Sequence, residues 1–256
     1  MGAIPLGSII NMLFSYILVG VTVLAIVVFF WFLFPFLERK REEKSLADYC
    51  KEHCYLVLTF DDGPCELVTS PLLDLLSRRN VKASFFALGN KITRSKGLVR
   101  RLITEGHDLG SHSQNHLNAW KAFPGPVLKD IRTGIMSVKS IGGNESLFRP
   151  PYGKMTLLTY LLAKKNGLET CWWTNDPKDS LVNPKGHSDV LTQIQIDRGG
   201  ILLLHDNDEY PNTDHTQYVL ELVKSVIDLA EQENLQILTY SELLSHYKLR
   251  LQKLTN

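Results

Sequence analysis

Between Ser8 and Leu37 the chain carries no charged residue, and this run limits what the rest can be. It includes Ile17-Leu18-Val19-Gly20-Val21 and Val27-Val28-Phe29-Phe30-Trp31-Phe32-Leu33-Phe34. A hydrocarbon core of ~30 Å is crossed by about 20 apolar residues in a helix, so the run is long enough to span. Trp31 and its Phe neighbours suit one membrane interface, and Pro35 is expected to end the helix. A cleaved signal peptide fits less well. The run is long, no basic segment precedes it, and no small-residue cleavage site follows. The span has neither a GxxxG pattern nor an intramembrane charge, so nothing in it speaks for a helix–helix interaction module.

The charged flank Glu38-Arg39-Lys40-Arg41-Glu42-Glu43-Lys44 follows the span. By the positive-inside rule, the flank and the domain behind it are expected to face the cytoplasm. Over the whole chain charge is balanced, 28 Lys and Arg against 27 Asp and Glu in 256 residues. No basic stripe points to nucleic acid. Cys50, Cys54, Cys65 and Cys171 do not have the paired spacing of a zinc ribbon or redox site. Cys50 and Cys54 fall on one helical face, where a disulfide or two free thiols are both open readings.

Three segments are expected: an anchor over 1–37, a helical juxtamembrane linker over 38–54, and a globular domain over 55–256. In the domain, apolar runs read as strands at 55–60, 82–87, 107–112, 169–173, 200–205 and 236–239. Helical patterns fall between them at 67–79, 98–105, 127–141, 157–166, before Asp197, and at 218–232. This alternation predicts a parallel α/β sheet or barrel. The ionisable residues of interest fall just after the strands, where such barrels keep their chemistry.

His112 and His116 are four apart and would share a helical face, a spacing that suits a metal but is also found on solvated surfaces. Asp61-Asp62 ends a strand at an Asp-Gly-Pro turn, a place where Asp is common for local reasons. Two adjacent carboxylates there point different ways, leaving one for a metal and one as a base. A carboxylate and two His form a ligand set for zinc or another divalent ion with open positions. His205 ends an apolar strand and is either a packed histidine or a proton donor near neutral pH. Arg149 precedes two prolines and is either a surface charge or a fixed bidentate partner for a carboxylate. Trp172-Trp173 suit either core packing or a sugar face.

These motifs, taken in order, resemble the NodB-type polysaccharide deacetylases, carbohydrate esterase family four. The resemblance rests on Thr59-Phe60-Asp61-Asp62-Gly63-Pro64, Lys82-Ala83-Ser84-Phe85-Phe86, His112-Ser113-Gln114-Asn115-His116, Arg149-Pro150-Pro151-Tyr152-Gly153 and Leu202-Leu203-Leu204-His205. It covers about Tyr55 to Tyr240. It implies a distorted (β/α) barrel with fewer than eight strands, here behind one N-terminal transmembrane helix. It implies one divalent metal, zinc by ligand type, on Asp62, His112 and His116. Asp61 would be the general base, Arg149 its orienting partner, and His205 the general acid. The Tyr152 backbone N–H would face the oxyanion, and Trp173 the sugar. The family's carboxylate that tunes the acidic His is followed by Trp. Here Asp179 is followed by Ser180, so Asp176 and Asp179 both remain candidates. The implied activity is N-deacylation of an amino-sugar polymer; for a domain that faces inward, a lipid-linked sugar at the membrane is the alternative substrate. A catalytically inactive carbohydrate-binding scaffold on the same fold is the alternative from another class.

Overall fold

The computed structural model describes residues 5–210 and 214–255. The chain opens as one helical rod: α1 (Leu6–Val28), a π-helical turn (Phe29–Leu33) and α2 (Phe34–His53). Its most apolar window has a mean hydropathy of 2.9 and is wholly exposed. The rod is long and apolar enough to cross a membrane, a test that a signal sequence also passes. The helix does not end at Pro35, contrary to the sequence expectation. Proline lacks an N–H and crowds the carbonyl four residues back. Here the Phe34 N–H reaches back five residues to the Phe29 carbonyl, so a widened turn precedes the proline, which sits in the first turn of α2.

Cys54, in the left-handed region at φ 56°, stops α2 and turns the chain into β1 (Tyr55–Asp61). Then follow α3 (Glu66–Arg78), β2 (Ser84–Ala87), α4 (Gly89–Arg94), α5 (Lys96–Thr104), β3 (Asp108–Ser111), α6 (Pro124–Ser140) and β4 (Leu147–Phe148). The chain continues through α7 (Leu157–Lys165), β5 (Glu169–Thr170), α8 (His187–Asp197), β6 (Gly200–His205), α9 (His215–Gln232), β7 (Gln236–Leu238) and α10 (Tyr240–Thr255).

All strand pairs are parallel, in the order β5-β4-β3-β2-β1-β6, with β7 on the first half of β1. β2 takes the second half of that same edge, pairing Thr59 with Ser84 onward. The sheet curls until the chain just past β5 meets β6. There the Thr174 and Asn175 N–H groups donate to the Ile201 carbonyl, and the Leu203 N–H donates to the Asn175 carbonyl. The result is a seven-stranded curled sheet, short of the eight of a regular barrel, as the resemblance implies.

Period-two alternation places Leu56, Leu58 and Phe60 against the helices outside the sheet, while Val57 points inside the curl. The inside is filled by α2 and α10. Leu46, Tyr49 and Cys50 form one buried cluster with Val57, Ile201, Leu238, Tyr240 and Leu243. The stretch expected as a linker is therefore helical, and its far half packs into the core. The polar half of α2 grips the domain as well. Glu42 accepts hydrogen bonds from Trp172 Nε1 (2.7 Å) and Thr170 Oγ1 (3.1 Å). The Arg39 guanidinium lies over Trp172 and Trp173 and donates to the Gly153 carbonyl.

All four cysteines are free, so Cys50 and Cys54 are not bridged. Burial pushes the Cys50 thiol up to about 12 and that of Cys171 higher still, which keeps both protonated.

Candidate active site

Parallel strands end on one side of the sheet, so β1 and β6 deliver their last residues to the same place. Asp61 and His205 are direct partners across that ladder. An open cleft of about 840 Å³ lies above these ends, lined by Asp61, Asp62, His112, His116, Tyr152, Trp173 and His205, among others.

Asp62 follows the strand at φ 70°, a conformation L side chains seldom adopt. This turn aims Asp61 and Asp62 differently. Asp61 accepts from Arg149 Nη1 at 2.8 Å, and the same nitrogen donates to Thr59 Oγ1 at 2.8 Å. Arg149 is fully buried, stacks over the Phe86 ring, and donates through Nε to the Cys171 carbonyl at 2.9 Å. Of the two readings of Arg149, the carboxylate partner holds, but through one hydrogen bond rather than two. The other guanidinium nitrogens are committed to the backbone leading out of β5.

His112 and His116 converge as expected, but not on a helix. They flank an irregular loop in which Ser113 and His116 take positive φ, 68° and 61°. The His116 N–H donates to Ser113 Oγ, which folds the loop back on itself. Crowding by Gly134 of α6 locks it, since any Cβ there would lie 2.3 Å from the Ser113 carbonyl carbon. His112 Nδ1 faces the Arg149 carbonyl at 2.8 Å, which fixes that nitrogen as the N–H and leaves Nε2 as an acceptor.

The two Nε2 atoms lie 3.1 Å apart, and Asp62 Oδ1 lies 3.5 Å from one and 3.3 Å from the other. Burial pushes the His116 imidazole down to about 4, so it is neutral at pH 7. Two buried lone-pair donors and the half-buried His116 therefore face each other, and Asp62 Oδ1 has no hydrogen-bond partner. Leaving such groups unsatisfied costs ~1–3 kcal/mol each. Two ligands ~2.0–2.1 Å from a tetrahedral ion lie about 3.3 Å apart, so the cluster fits one divalent cation.

Asp179 settles on His205. Its Oδ1 meets His205 Nδ1 at 2.8 Å, and its Oδ2 accepts the His205 backbone N–H at 2.8 Å. Asp176 instead pairs with Lys178 at 2.6 Å. Burial opposes the charge on His205, but Asp179 outweighs it and holds the imidazole up to about 9. Burial likewise opposes ionisation of Asp179, and His205 overrides it, taking the carboxyl down to about 2. Ser180 and Leu181 occupy the cleft wall where the resemblance would put Trp.

Two further residues complete the site. His215, at the start of α9, puts Nε2 3.3 Å from Asp179 Oδ2. The Tyr210 hydroxyl donates to Asp62 Oδ2 and its ring stands edge-on to His205. Neither sits in a motif; the polar run after β6 was their only signal. Tyr152, at φ 57°, places its half-exposed ring 4.4 Å from that of His116, and Trp173 forms the adjoining wall beneath Arg39.

A family model described as polysaccharide deacetylase matches residues 48–171. A peptidoglycan-N-acetylglucosamine deacetylase of Bacillus cereus is 34% identical over 194 residues, covering 75% of this chain and 88% of that protein. A chitooligosaccharide deacetylase of Bradyrhizobium is 33% identical over 159 residues, 60% of this chain and 70% of that one. Among solved structures, a peptidoglycan N-acetylglucosamine deacetylase bound to a naphthyl-benzamide superposes with a TM-score of 0.67 at 24% identity, over 74% of this chain and 87% of that one. A family-four pseudoenzyme from Bacillus anthracis shares the fold with a TM-score of 0.61 at 19% identity, over 74% and 65%. The chain belongs to the polysaccharide deacetylase family.

Proposed function

We propose that the domain is a metal-dependent N-deacetylase of glycans containing N-acetylglucosamine. The observation that carries this reading is the pairing of two oppositely prepared groups beside the Asp62–His112–His116 cluster. One is a carboxylate held by Arg149; the other is an imidazolium held by Asp179. Separate base and acid functions are what amide hydrolysis at neutral pH requires.

Asp62, His112 and His116 would hold the ion, and imidazole with carboxylate favours zinc. When bound, it supplies Lewis acidity toward the amide carbonyl and toward water. Asp61, fixed by Arg149, takes the proton of the attacking water. The Tyr152 backbone N–H, set at the mouth by the turn after two prolines, offers a hydrogen bond to the oxyanion. His205 Nδ1 is occupied by Asp179, so Nε2 is the nitrogen that gives a proton to the departing amine. Acetate and the free amino sugar leave. Trp173 and Tyr152 offer faces for sugar rings, and Ser180 and Leu181 line the wall where the resemblance would put Trp.

The names of the two relatives support N-acetylglucosamine units as substrate. The inactive-scaffold reading has a precedent in the pseudoenzyme fold neighbour, but Asp61, His205 and the Asp62–His112–His116 cluster meet in one cleft, which supports an active enzyme. The helix over 6–33 would anchor the domain. The Lys and Arg residues after it favour a cytoplasmic face, where a lipid-linked amino sugar would be the substrate; a wall polymer requires the opposite face. Asp61→Asn tests the mechanism. Deacetylation is expected to fall at least 100-fold with metal content unchanged; near-normal turnover would refute the assignment of the base.

A further inference from the structure

The topology sets the direction in which the cleft faces. α2 leads away from the apolar rod, and the single residue Cys54 turns the chain so that β1 runs back toward it. Every other strand is parallel to β1, so all strand ends, and the cleft with them, face the exit of the rod.

The distances are short. The 23 residues of α1 rise about 34 Å at ~1.5 Å each, enough alone for a ~30 Å core. The aromatic turn Phe29–Leu33 then falls at the interface, where aromatic side chains collect. Arg39 follows Phe34 by five residues, about 8 Å along the axis. Arg39 already touches Gly153, the neighbour of Tyr152 at the cleft mouth.

The loop after His116 reaches that same level. Trp120 stands edge-on to Phe32 at 5.7 Å, and Tyr160 of α7 to Phe34 at 5.5 Å. Three residues beyond Trp120, Phe123 is 81% exposed, and Leu161 beside Tyr160 is 50% exposed. Lys154, which lines the cleft, has its ammonium 5.0 Å from the centre of the Trp120 ring. Exposed aromatics at the depth of an apolar helix end, with a lysine behind them, match the make-up of a membrane-interface contact.

We propose that the Leu117–Phe123 loop docks on the phospholipid interface, so that the cleft opens onto the bilayer surface and acts on amino sugars carried there on a lipid. This rests on the anchor and deacetylase readings and names their substrate class.

The test uses the full chain in nanodiscs. The emission contributed by Trp120, taken as the difference between the protein and Trp120→Phe, is expected to drop at least about twofold in brominated lipid; equal emission in brominated and ordinary lipid overturns the docking. Phe123→Asp is expected to leave turnover of soluble tetra-N-acetylchitotetraose unchanged and to lower turnover of N-acetylglucosamine on a polyprenyl carrier about tenfold. Equal effects on both substrates, or on neither, overturn the proposal. Failure of the unaltered protein to turn over either substrate refutes the deacetylase reading instead, and the quenching result still decides the docking.

Discussion

Replacing Asp179 with Asn isolates the tuning of the acid from the rest of the site. Asn keeps the size but offers one acceptor oxygen in place of two, so it removes the charge and keeps one of the two hydrogen bonds from His205. The rise of His205 from its ordinary 6.5 to about 9 corresponds to roughly 3 kcal/mol in favour of the imidazolium. Burial opposes that charge while Asp61 and Asp62 still favour it, so without the Asp179 carboxylate the pKa falls back toward 6.5. At pH 6 the loss of protonated acid is then only about 1.3-fold. At pH 8 about 90% of the wild-type acid is protonated against about 3% in the variant, a loss of about 30-fold. The alkaline limb of the rate profile therefore moves down by at least two pH units or so, while the acidic limb stays. The assay is initial-rate amine release from a soluble N-acetylglucosamine oligomer between pH 5 and 10, with metal content matched. A loss of the same size at every pH would show that Asp179 only holds the loop in place. The sign for stability is the complement. His205, raised, contributes below pH ~6.5 and its contribution is lost as pH rises through about 9. Asp179, depressed, contributes above pH ~4 and its contribution is lost as pH falls toward about 2.

Arg149→Met should destabilise the fold by about 3–5 kcal/mol, because Asp61 would be left as an uncompensated buried carboxylate; an unchanged urea midpoint would show that the pair carries no such weight. Thiol titration of the denatured, unreduced protein should find four reactive cysteines, and reductant should not shift the thermal midpoint. Two titratable thiols instead would mean that a bridge forms.

The sheet was legible because its signals are local. Tyr55 to Phe60 and Gly200 to His205 are apolar runs closed by polar turns, and they form strands at nearly those bounds. That Asp62, His112 and His116 come together was legible from motif order. What the sequence hid depends on contacts between distant segments. His112 and His116 meet through a loop closed by Ser113 and Gly134, although their spacing equally fits a helix. The choice between Asp176 and Asp179 turns on Lys178 claiming Asp176 and on the loop reaching β6. Pro35 reads as a stop only if the turn before it is regular. α10 was missed although a capping box announces it: the Thr239 N–H donates to Glu242, and the Glu242 N–H donates to Thr239 Oγ1. Its Tyr240 is buried inside the curl, with its hydroxyl on the Trp172 backbone.

The most direct measurement of the central claim is product stoichiometry with the metal controlled. The purified full chain, stripped with chelator and reloaded with zinc, is given a defined N-acetylglucosamine oligomer. Acetate and free amine are then counted. One acetate per amine, from the reloaded protein and not from the stripped one, is the expected result. No acetate from a fully loaded, folded protein across the tested substrates, or equal release without metal, would contradict it.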